Sequence, residues 1–164
     1  MKKTLLLFLF CVFVLQAGAQ QINVEEARKL YPKSAESKDI CKKLHDRLAE
    51  IDEKNQNLLM GYKGAVLAEM AKHEKDAPQK LKFFREGKRK LDQAILNDLE
   101  NIELRFLRLS IQLHTPDVLR YNGNITSDRD YINKNIENVK NEQLRKSITD
   151  YMAKMDRKSD VQPK

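Results

Sequence analysis

The chain has 164 residues, a formal charge of +7 and 34% charged residues, with only five glycines and four prolines. This length is enough for one domain with its own core, and a small positive excess mixed with 24 acidic residues argues against a nucleic-acid partner. Apolar residues recur with helical spacing. The pattern predicts an all-α fold, a helical-hairpin array or small bundle of about five to seven helices.

The first nineteen residues have the three-part pattern of a secretory signal peptide. Lys2 and Lys3 precede an apolar run over residues 5–15, and small residues follow as far as Ala19. We predict cleavage between Ala19 and Gln20, and a periplasmic or extracellular location. The apolar run is shorter than the ~20 residues that a membrane-spanning helix needs, so we expect no transmembrane anchor after processing.

Cleavage would leave a single cysteine in the mature chain. Cys11 lies inside the signal segment, where the large Phe10 before it does not fit a lipoprotein acylation site. Cys41 then has no partner for an intramolecular disulfide. It shares a helical face with Leu44 and Leu48, which favours burial in the core. Intermolecular pairing or redox chemistry is the alternative.

The N-terminal half of the mature chain predicts three helices. Asn23 is a good N-cap for the first, and Pro32 is expected to end that helix at Tyr31. Apolar stripes then predict helices over 38–52 and 57–73. The polar residues between them favour two separate helices, and one continuous helix is the alternative.

The next two helices are predicted over 80–97, after a break at Pro78, and over 101–114. The second of these is apolar on two opposite sides. Such a helix packs between neighbours rather than on a surface, so it is expected to form the spine of the domain. One side carries Ile102, Phe106, Leu109 and Leu113, and the other carries Leu104, Leu107 and Ile111.

The C-terminal part predicts a loop over 117–127 and two further helices. Ser127 or Asp128 is expected to cap the sixth helix, and Asn141 the seventh. The last residues are charged and are expected to fray. The predicted organisation is a cleaved signal peptide (1–19), a single helical domain (20–153) and a charged tail (154–164).

Gly87, Leu91 and Ala94 have a small–large–small spacing along the fourth helix, and residues 94–101 read as a short turn before the next helix. The stretch 87–107 resembles the second helix of a tetratricopeptide repeat that runs into the first helix of the following repeat. This resemblance implies stacked helix pairs and protein binding. A generic helical bundle with the same spacing is the alternative.

A broader similarity rests on the spine and the residues after it. The run 105–112, followed by Pro116, by Asn124 and Ile125, and by Asp128, resembles small exported helical proteins of Gram-negative bacteria. The resemblance implies an all-helical fold and export. It implies no particular activity.

Arg105, Arg108 and Gln112 occupy a narrow polar sector between the two apolar faces of the spine. Guanidinium groups among packed helices need a carboxylate, a carbonyl or a ligand anion. The sector predicts a groove that binds an anion or a carboxylate, lined by Tyr62 and Tyr121. The alternative is an internal ion pair, or hydrogen bonds that hold the loop after the spine.

A basic stripe on the fourth helix is a second candidate surface. Lys82, Arg85 and Arg89 lie on one side of that helix, opposite its apolar face. The stripe predicts weak binding to an anionic lipid surface or polymer. An ordinary solvated helix face is the alternative.

Residues with catalytic or metal-binding spacing are missing from the sequence. His45, His73 and His114 lie on three different predicted helices, and no pair has the spacing of metal ligands. We therefore expect no catalytic residue, no metal and no cofactor. The favoured function is that of an exported, non-enzymatic protein-interaction module of the cell envelope, with another envelope or secreted protein as partner. The alternative is a small helical binder of an anionic ligand through Arg105 and Arg108.

Overall fold

The computed structural model describes residues 21–161. This part of the chain is entirely helical and contains no strand, which confirms the all-α prediction. The predicted signal peptide and its cleavage point between Ala19 and Gln20 lie outside the described residues. Seven α-helices occur in the described part: α1 Val24–Ser34, α2 Lys38–Ala49, α3 Asn57–His73, α4 Ala77–Asn97, α5 Ile102–Gln112, α6 Ile125–Asn135 and α7 Glu142–Val161, with short 3-10 helices at Asp117–Leu119 and Ile136–Asn138.

The first helix begins as predicted but ends later. Asn23 accepts a hydrogen bond from the Glu26 backbone N–H at 2.9 Å. The expected end at Tyr31 is wrong, because α1 continues through Pro32 to Ser34. Ser34 is fully buried, and its hydroxyl donates to the Tyr31 carbonyl at 2.6 Å. These interactions stabilise the last turn despite the proline.

The helices that follow are separate. Helix α2 ends at Ala49 and α3 begins at Asn57, so the two-helix interpretation of this stretch is confirmed. Helix α4 begins at Ala77, earlier than the expected start at Lys80. Pro78 lies in its first turn, where a missing N–H costs nothing, so the proline starts this helix instead of delaying it.

Helices α3 and α4 form an antiparallel hairpin whose backbones touch. A Cβ added to Gly64 would lie 2.6 Å from the Leu91 nitrogen and 2.7 Å from the Gly87 carbonyl oxygen. A Cβ added to Gly87 would lie 2.9 Å from the Ala68 nitrogen. Only glycine allows so close an approach, and the contact fixes where the two helices cross.

Helix α5 is the predicted spine, and the structure confirms its two apolar sides. Leu104, Leu107 and Ile111 are buried in a large core shared with α1 to α4. Leu109 is buried in a second, smaller core with Ile132 of α6, and with Ile148 and Met152 of α7. Helix α5 therefore joins a large N-terminal body to a smaller C-terminal pair of helices.

The last two helices differ from the predictions at their ends. Helix α6 begins at Ile125, so neither Ser127 nor Asp128 caps it; Asp128 is fully buried in its first turn instead. The Asn141 cap on α7 is confirmed by a 2.9 Å hydrogen bond from the Leu144 N–H. Helix α7 runs to Val161, through the start of the predicted tail at Lys154.

Cys41 lies in the large core, as predicted. Its side chain is fully buried, and its thiol contacts the Val66 carbonyl oxygen at 3.8 Å. Burial, with a smaller contribution from the nearby Glu69 carboxylate, raises the pKa of the thiol to about 12. The thiol is therefore protonated at neutral pH.

Among the helices of residues 21–161, none is long and apolar enough to cross a membrane.

Candidate functional site

The two arginines of the spine meet one buried carboxylate. Arg108 donates from Nε to Asp128 Oδ2 at 2.7 Å and from Nη2 to Asp128 Oδ1 at 2.8 Å. Arg105 donates from Nη1 to Asp128 Oδ1 at 3.1 Å, and from Nε and Nη2 to the Leu99 carbonyl. Asp128 has no exposed surface. The arrangement agrees with the internal ion-pair interpretation, since protein groups already accept most of these donors.

Tyr121 lies beside the same cluster. Its hydroxyl donates to Asp92 Oδ1 at 2.8 Å, and an Nη atom of Arg108 lies 3.6 Å from that oxygen. Burial, reinforced by the Asp92 carboxylate, raises the pKa of Tyr121. Burial opposes the charge on Arg108, but hydrogen bonds to Asp128 outweigh it and raise the pKa of Arg108. Arg108 is therefore charged and Tyr121 protonated at neutral pH.

Tyr62 does not join this cluster. It lies in α3, and its hydroxyl donates to Glu103 Oε1 at 2.6 Å. Arg28 of α1 donates to both oxygens of Glu103, at 2.8 Å and 2.6 Å. The predicted groove residues are therefore split between two ionic clusters on different sides of α5.

Gln112 is buried without a polar partner. Only 2% of its surface is exposed, and neither its Oε1 nor its Nε2 has a hydrogen-bond partner among the described residues. It does not share the hydrogen bonds of Arg105 and Arg108. The structure therefore brings Arg105, Arg108 and Tyr121 together, and leaves Tyr62 and Gln112 outside their hydrogen-bond network.

The basic stripe of Lys82, Arg85 and Arg89 is exposed on the outer face of α4. Within the described part of the chain, no carboxylate lies in ion-pair distance of these three side chains. Lys88 is placed differently, since its ammonium lies 4.9 Å from the centre of the Tyr121 ring. The three side chains of the stripe therefore lie on an exposed face of α4.

An apolar pocket that the sequence did not predict opens between α3, α4 and the end of α5. Its volume is about 430 Å³. Small side chains leave this space, because Ala68 and Ala71 of α3 and Ala77 of α4 line it, and Pro116 turns the chain away after α5. The other lining residues are Glu69, Lys72, Lys80, Leu81, Phe84, Ile111, His114, Thr115 and Leu119.

Glu69 is the polar group of greatest interest in this pocket. Its side chain is 13% exposed, and the buried Oε2 has no hydrogen-bond donor among the residues that the structure describes. The Lys72 ammonium lies 3.7 Å from Oε2, a distance that gives charge attraction without a hydrogen bond. A buried carboxylate oxygen without a hydrogen-bond donor is costly, and the charge of Lys72 is what compensates it in this structure.

Three other polar lining groups are already hydrogen-bonded. Thr115 donates its hydroxyl to the Ile111 carbonyl at 2.8 Å. His114 Nδ1 lies 2.9 Å from the Ser110 carbonyl oxygen. Lys72 also donates to the Ala35 carbonyl at 3.2 Å. These groups shape the pocket wall, and none of them supplies the missing donor to Glu69.

The described residues contain no group of three or more His, Cys, Asp or Glu side chains that could hold a metal ion. His73 of α3 donates from Nε2 to the Ser34 carbonyl oxygen at the end of α1, at 2.9 Å. His45 Nδ1 lies 3.2 Å from Asp46 Oδ1. The pocket between α3, α4 and α5 is therefore the candidate site, and its chemistry is that of binding by apolar contact and one carboxylate.

Comparisons of the chain with protein-family models, with curated proteins and with solved structures gave no match.

Proposed function

We propose that this chain is an exported, non-enzymatic protein-interaction module of the cell envelope, which holds a segment of another envelope or secreted protein in the pocket between α3, α4 and α5. Export is supported by the signal-peptide pattern of residues 1–19. Protein binding is supported by the pocket itself. The helix pairs supply the scaffold for a binding surface, as in the resemblance to tetratricopeptide repeats.

The observation that carries the proposal is the apolar pocket. Its volume of about 430 Å³ lies within the range of pockets that enclose ligands or partner side chains, about 300–1,000 Å³. Apolar lining of this kind is stabilised when a partner removes it from water, by roughly 25 cal/mol for each Å² of apolar surface buried. Phe84, Ile111 and the alanines of α3 supply that surface.

The rigidity of the pocket floor supports the same function. Gly87 and Gly64 hold α3 and α4 in backbone contact next to Ala68, which lines the pocket. A preformed pocket loses little conformational entropy when a partner binds.

Site-specific photocrosslinking in the cells that naturally make the protein tests this proposal. A photoreactive phenylalanine analogue replaces Lys80, an exposed residue of the pocket lining, or Lys82, an exposed residue of the outer face. We expect a discrete adduct from position 80 and none from position 82. The Ala77→Trp substitution fills the pocket entrance and should abolish the adduct. No adduct from position 80, or the same adduct from both positions, would contradict the proposal.

The export half of the proposal has its own measurement. The intact mass of the protein recovered from the envelope or the medium, compared with the masses expected from the sequence, identifies its first residue. We expect a chain that begins at Gln20. A chain that begins at Met1 and stays inside the cell would overturn export and leave the crosslinking result to be judged separately.

A further inference from the structure

The described part of the chain exposes three large apolar side chains, and they lie at two places. Leu96 is 67% exposed and Leu99 is 55% exposed at the corner where α4 turns into α5. Val118 is 84% exposed and lies next to Leu119, which lines the apolar pocket. One exposed apolar side chain is ordinary, but a pair at one corner and a third beside an open pocket indicate two surfaces that a partner covers.

Resting on the proposed function for the pocket as a docking site, we infer that a second copy of this chain occupies it when no other partner is bound. The segment that enters is the α4–α5 corner, residues 96–100. Leu96 and Leu99 of one copy lie in the pocket of the next, and Asp98 and Glu100 lie at the rim of that pocket.

The size and lining of the pocket suit the two leucines of the corner. Its volume is about 430 Å³, which is enough for a group larger than one side chain. Ala68 and Ala77 leave the space open, and Phe84 and Ile111 supply apolar surface inside it. Leucine side chains fill such a space with dispersion contacts that water does not supply. Val118 then extends the covered apolar surface beyond the rim.

The charges of the two surfaces are complementary. Asp98 and Glu100 are exposed at the corner, and neither forms an ion pair with another described residue. Lys80 is an exposed residue of the pocket lining and is likewise without an ion-pair partner among the described residues. The Lys80 ammonium of one copy therefore attracts the corner of another, and opposite charges of this kind fix the orientation of a contact.

The other charged groups near the two surfaces are already engaged within the chain. Lys72 lies 3.7 Å from Glu69 and donates to the Ala35 carbonyl, so this pair remains internal. Arg105, beside the corner, donates to the Leu99 carbonyl and to Asp128. The attraction between the two surfaces therefore depends on Lys80 and on the two carboxylates of the corner.

The positions of the pocket and the corner determine how the copies associate. The pocket is lined by the first turns of α4, whereas the corner follows the end of that helix at Asn97. The rise of an α-helix over residues 80–96 is about 24 Å, so a chain does not fill its own pocket. Each copy then has one pocket and one corner to offer, and the contact joins them head to tail.

Two complementary variants test this contact by analytical ultracentrifugation of the mature chain, residues 20–164. Ala77→Trp fills the pocket entrance and keeps the corner, whereas Leu96→Ser with Leu99→Ser removes the corner and keeps the pocket. We expect wild type to associate reversibly between micromolar and millimolar concentration. Each variant alone should be a monomer, and an equimolar mixture of the two should form a one-to-one dimer.

Three outcomes of that experiment would overturn the inference. They are a wild-type chain that stays monomeric at millimolar concentration, an Ala77→Trp chain that associates as wild type does, and a mixture that stays monomeric. Gln79→Trp is the matched control, because it adds the same side chain in the same turn outside the lining, and it should associate as wild type does. Thermal melting of each variant identifies any chain that fails to fold.

A matched pair of charge reversals tests the rim. Lys80→Glu should weaken the association of wild type by about threefold, because it places a carboxylate against Asp98 and Glu100 of the next copy. Lys82→Glu makes the same change of charge on the outer face of α4 and should weaken association by less than about 1.5-fold. Equal losses in the two variants would show a general effect of net charge and would contradict the charged contact.

The failure of this inference is distinguishable from the failure of the proposed function. A photocrosslinked adduct from position 80 with twice the mass of the chain supports the second copy as occupant. An adduct of any other mass supports a different protein in the pocket, and it still does so if the equimolar mixture of variants stays monomeric. Absence of both adducts would overturn the proposed function as well.

Discussion

Two buried carboxylates on either side of the molecule have opposite surroundings. Asp128 has no exposed surface and accepts three hydrogen bonds from Arg105 and Arg108. Glu69 is 13% exposed, and its buried oxygen accepts none from the described residues. The comparison teaches that a buried charge with its hydrogen-bond donors in place holds helices together, whereas one that is compensated only by a lysine at 3.7 Å contributes little to stability.

The two carboxylates also lie in different kinds of packing. Asp128 lies on α6, whose attachment to α5 combines its ion pairs with a small apolar core in which four side chains are buried: Leu109, Ile132, Ile148 and Met152. Glu69 lies at the edge of the large core, where apolar packing is sufficient without it. Removing the carboxylate charge should therefore change the unfolding free energy very differently at the two positions.

The largest expected effect comes from breaking the paired carboxylate. Asp128→Asn leaves two arginines without their buried counter-charge, which costs about 3 kcal/mol of unfolding free energy. Urea unfolding followed by circular dichroism measures the loss. A loss below about 1 kcal/mol would mean that the arginines find other acceptors, and that the ion pairs do not hold α6 on the spine.

A smaller loss is expected where the pocket floor is built. Gly87→Ala places a Cβ within 2.6 Å of the Gly64 carbonyl oxygen. Overpacking against backbone atoms at this distance is expected to cost about 3 kcal/mol, and the better helix propensity of alanine offsets about 1 kcal/mol, so the net loss should be about 2 kcal/mol.

The matched control for this change is Gly123→Ala. A Cβ at Gly123 would meet nothing within 4 Å, so the unfolding free energy should change by less than about 0.5 kcal/mol. Thermal melting of the two variants side by side measures the difference. Equal melting temperatures would contradict the close contact of α3 and α4.

The Glu69 carboxylate, which has no hydrogen-bond donor for Oε2 among the described residues, should matter little to stability. Glu69→Leu replaces a buried charge without a hydrogen-bond donor by an apolar side chain, so the unfolding free energy should stay within about 1 kcal/mol of the wild-type value or rise. Urea unfolding beside Asp128→Asn gives the sharpest contrast. A loss as large as that of Asp128→Asn would mean that Glu69 has an internal structural role.

The smallest effect is expected at a half-exposed carboxylate with partners. Burial raises the pKa of Glu53, but hydrogen bonds from Lys63 and Lys90 outweigh it and hold that pKa below 4.5, its usual value. The stabilisation is therefore present above pH 4.5 and is lost as the pH falls through the lowered pKa. Glu53→Gln should lower stability by less than about 1 kcal/mol at pH 7. Thermal melts of Glu53→Gln and wild type are compared at pH 7, 5 and 3. The difference between their melting temperatures should narrow as the pH falls, and a constant difference would contradict the ion pairing.

Much of the fold followed from local patterns in the sequence. The two apolar sides of α5 come from a repeat that one helix carries by itself, so the spine between two cores could be predicted. Helix boundaries that are set by tertiary contacts could not be predicted in this way. Pro32 fails to end α1 because Ser34 is buried beside α3, with its carbonyl oxygen 2.9 Å from His73. That contact joins residues far apart in the chain.

The site was harder to predict for the same reason. The polar sector of α5 indicated Arg105 and Arg108 as candidate site residues. Their acceptor, Asp128 on α6, could not be predicted, because it depends on how two helices pack. Tyr62 lies on the other side of the spine, beside Glu103. The pocket comes from small side chains on helices that diverge beyond the Gly64 contact, and an apolar periodicity does not distinguish a filled interface from an open one.

The most direct test of the central claim is the yield of the photocrosslink from position 80 in a chain that also carries Ala77→Trp, which fills the pocket entrance. If the apolar pocket holds the partner, the adduct should be lost while the melting temperature is retained. An undiminished adduct from a normally folded Ala77→Trp chain would contradict the account.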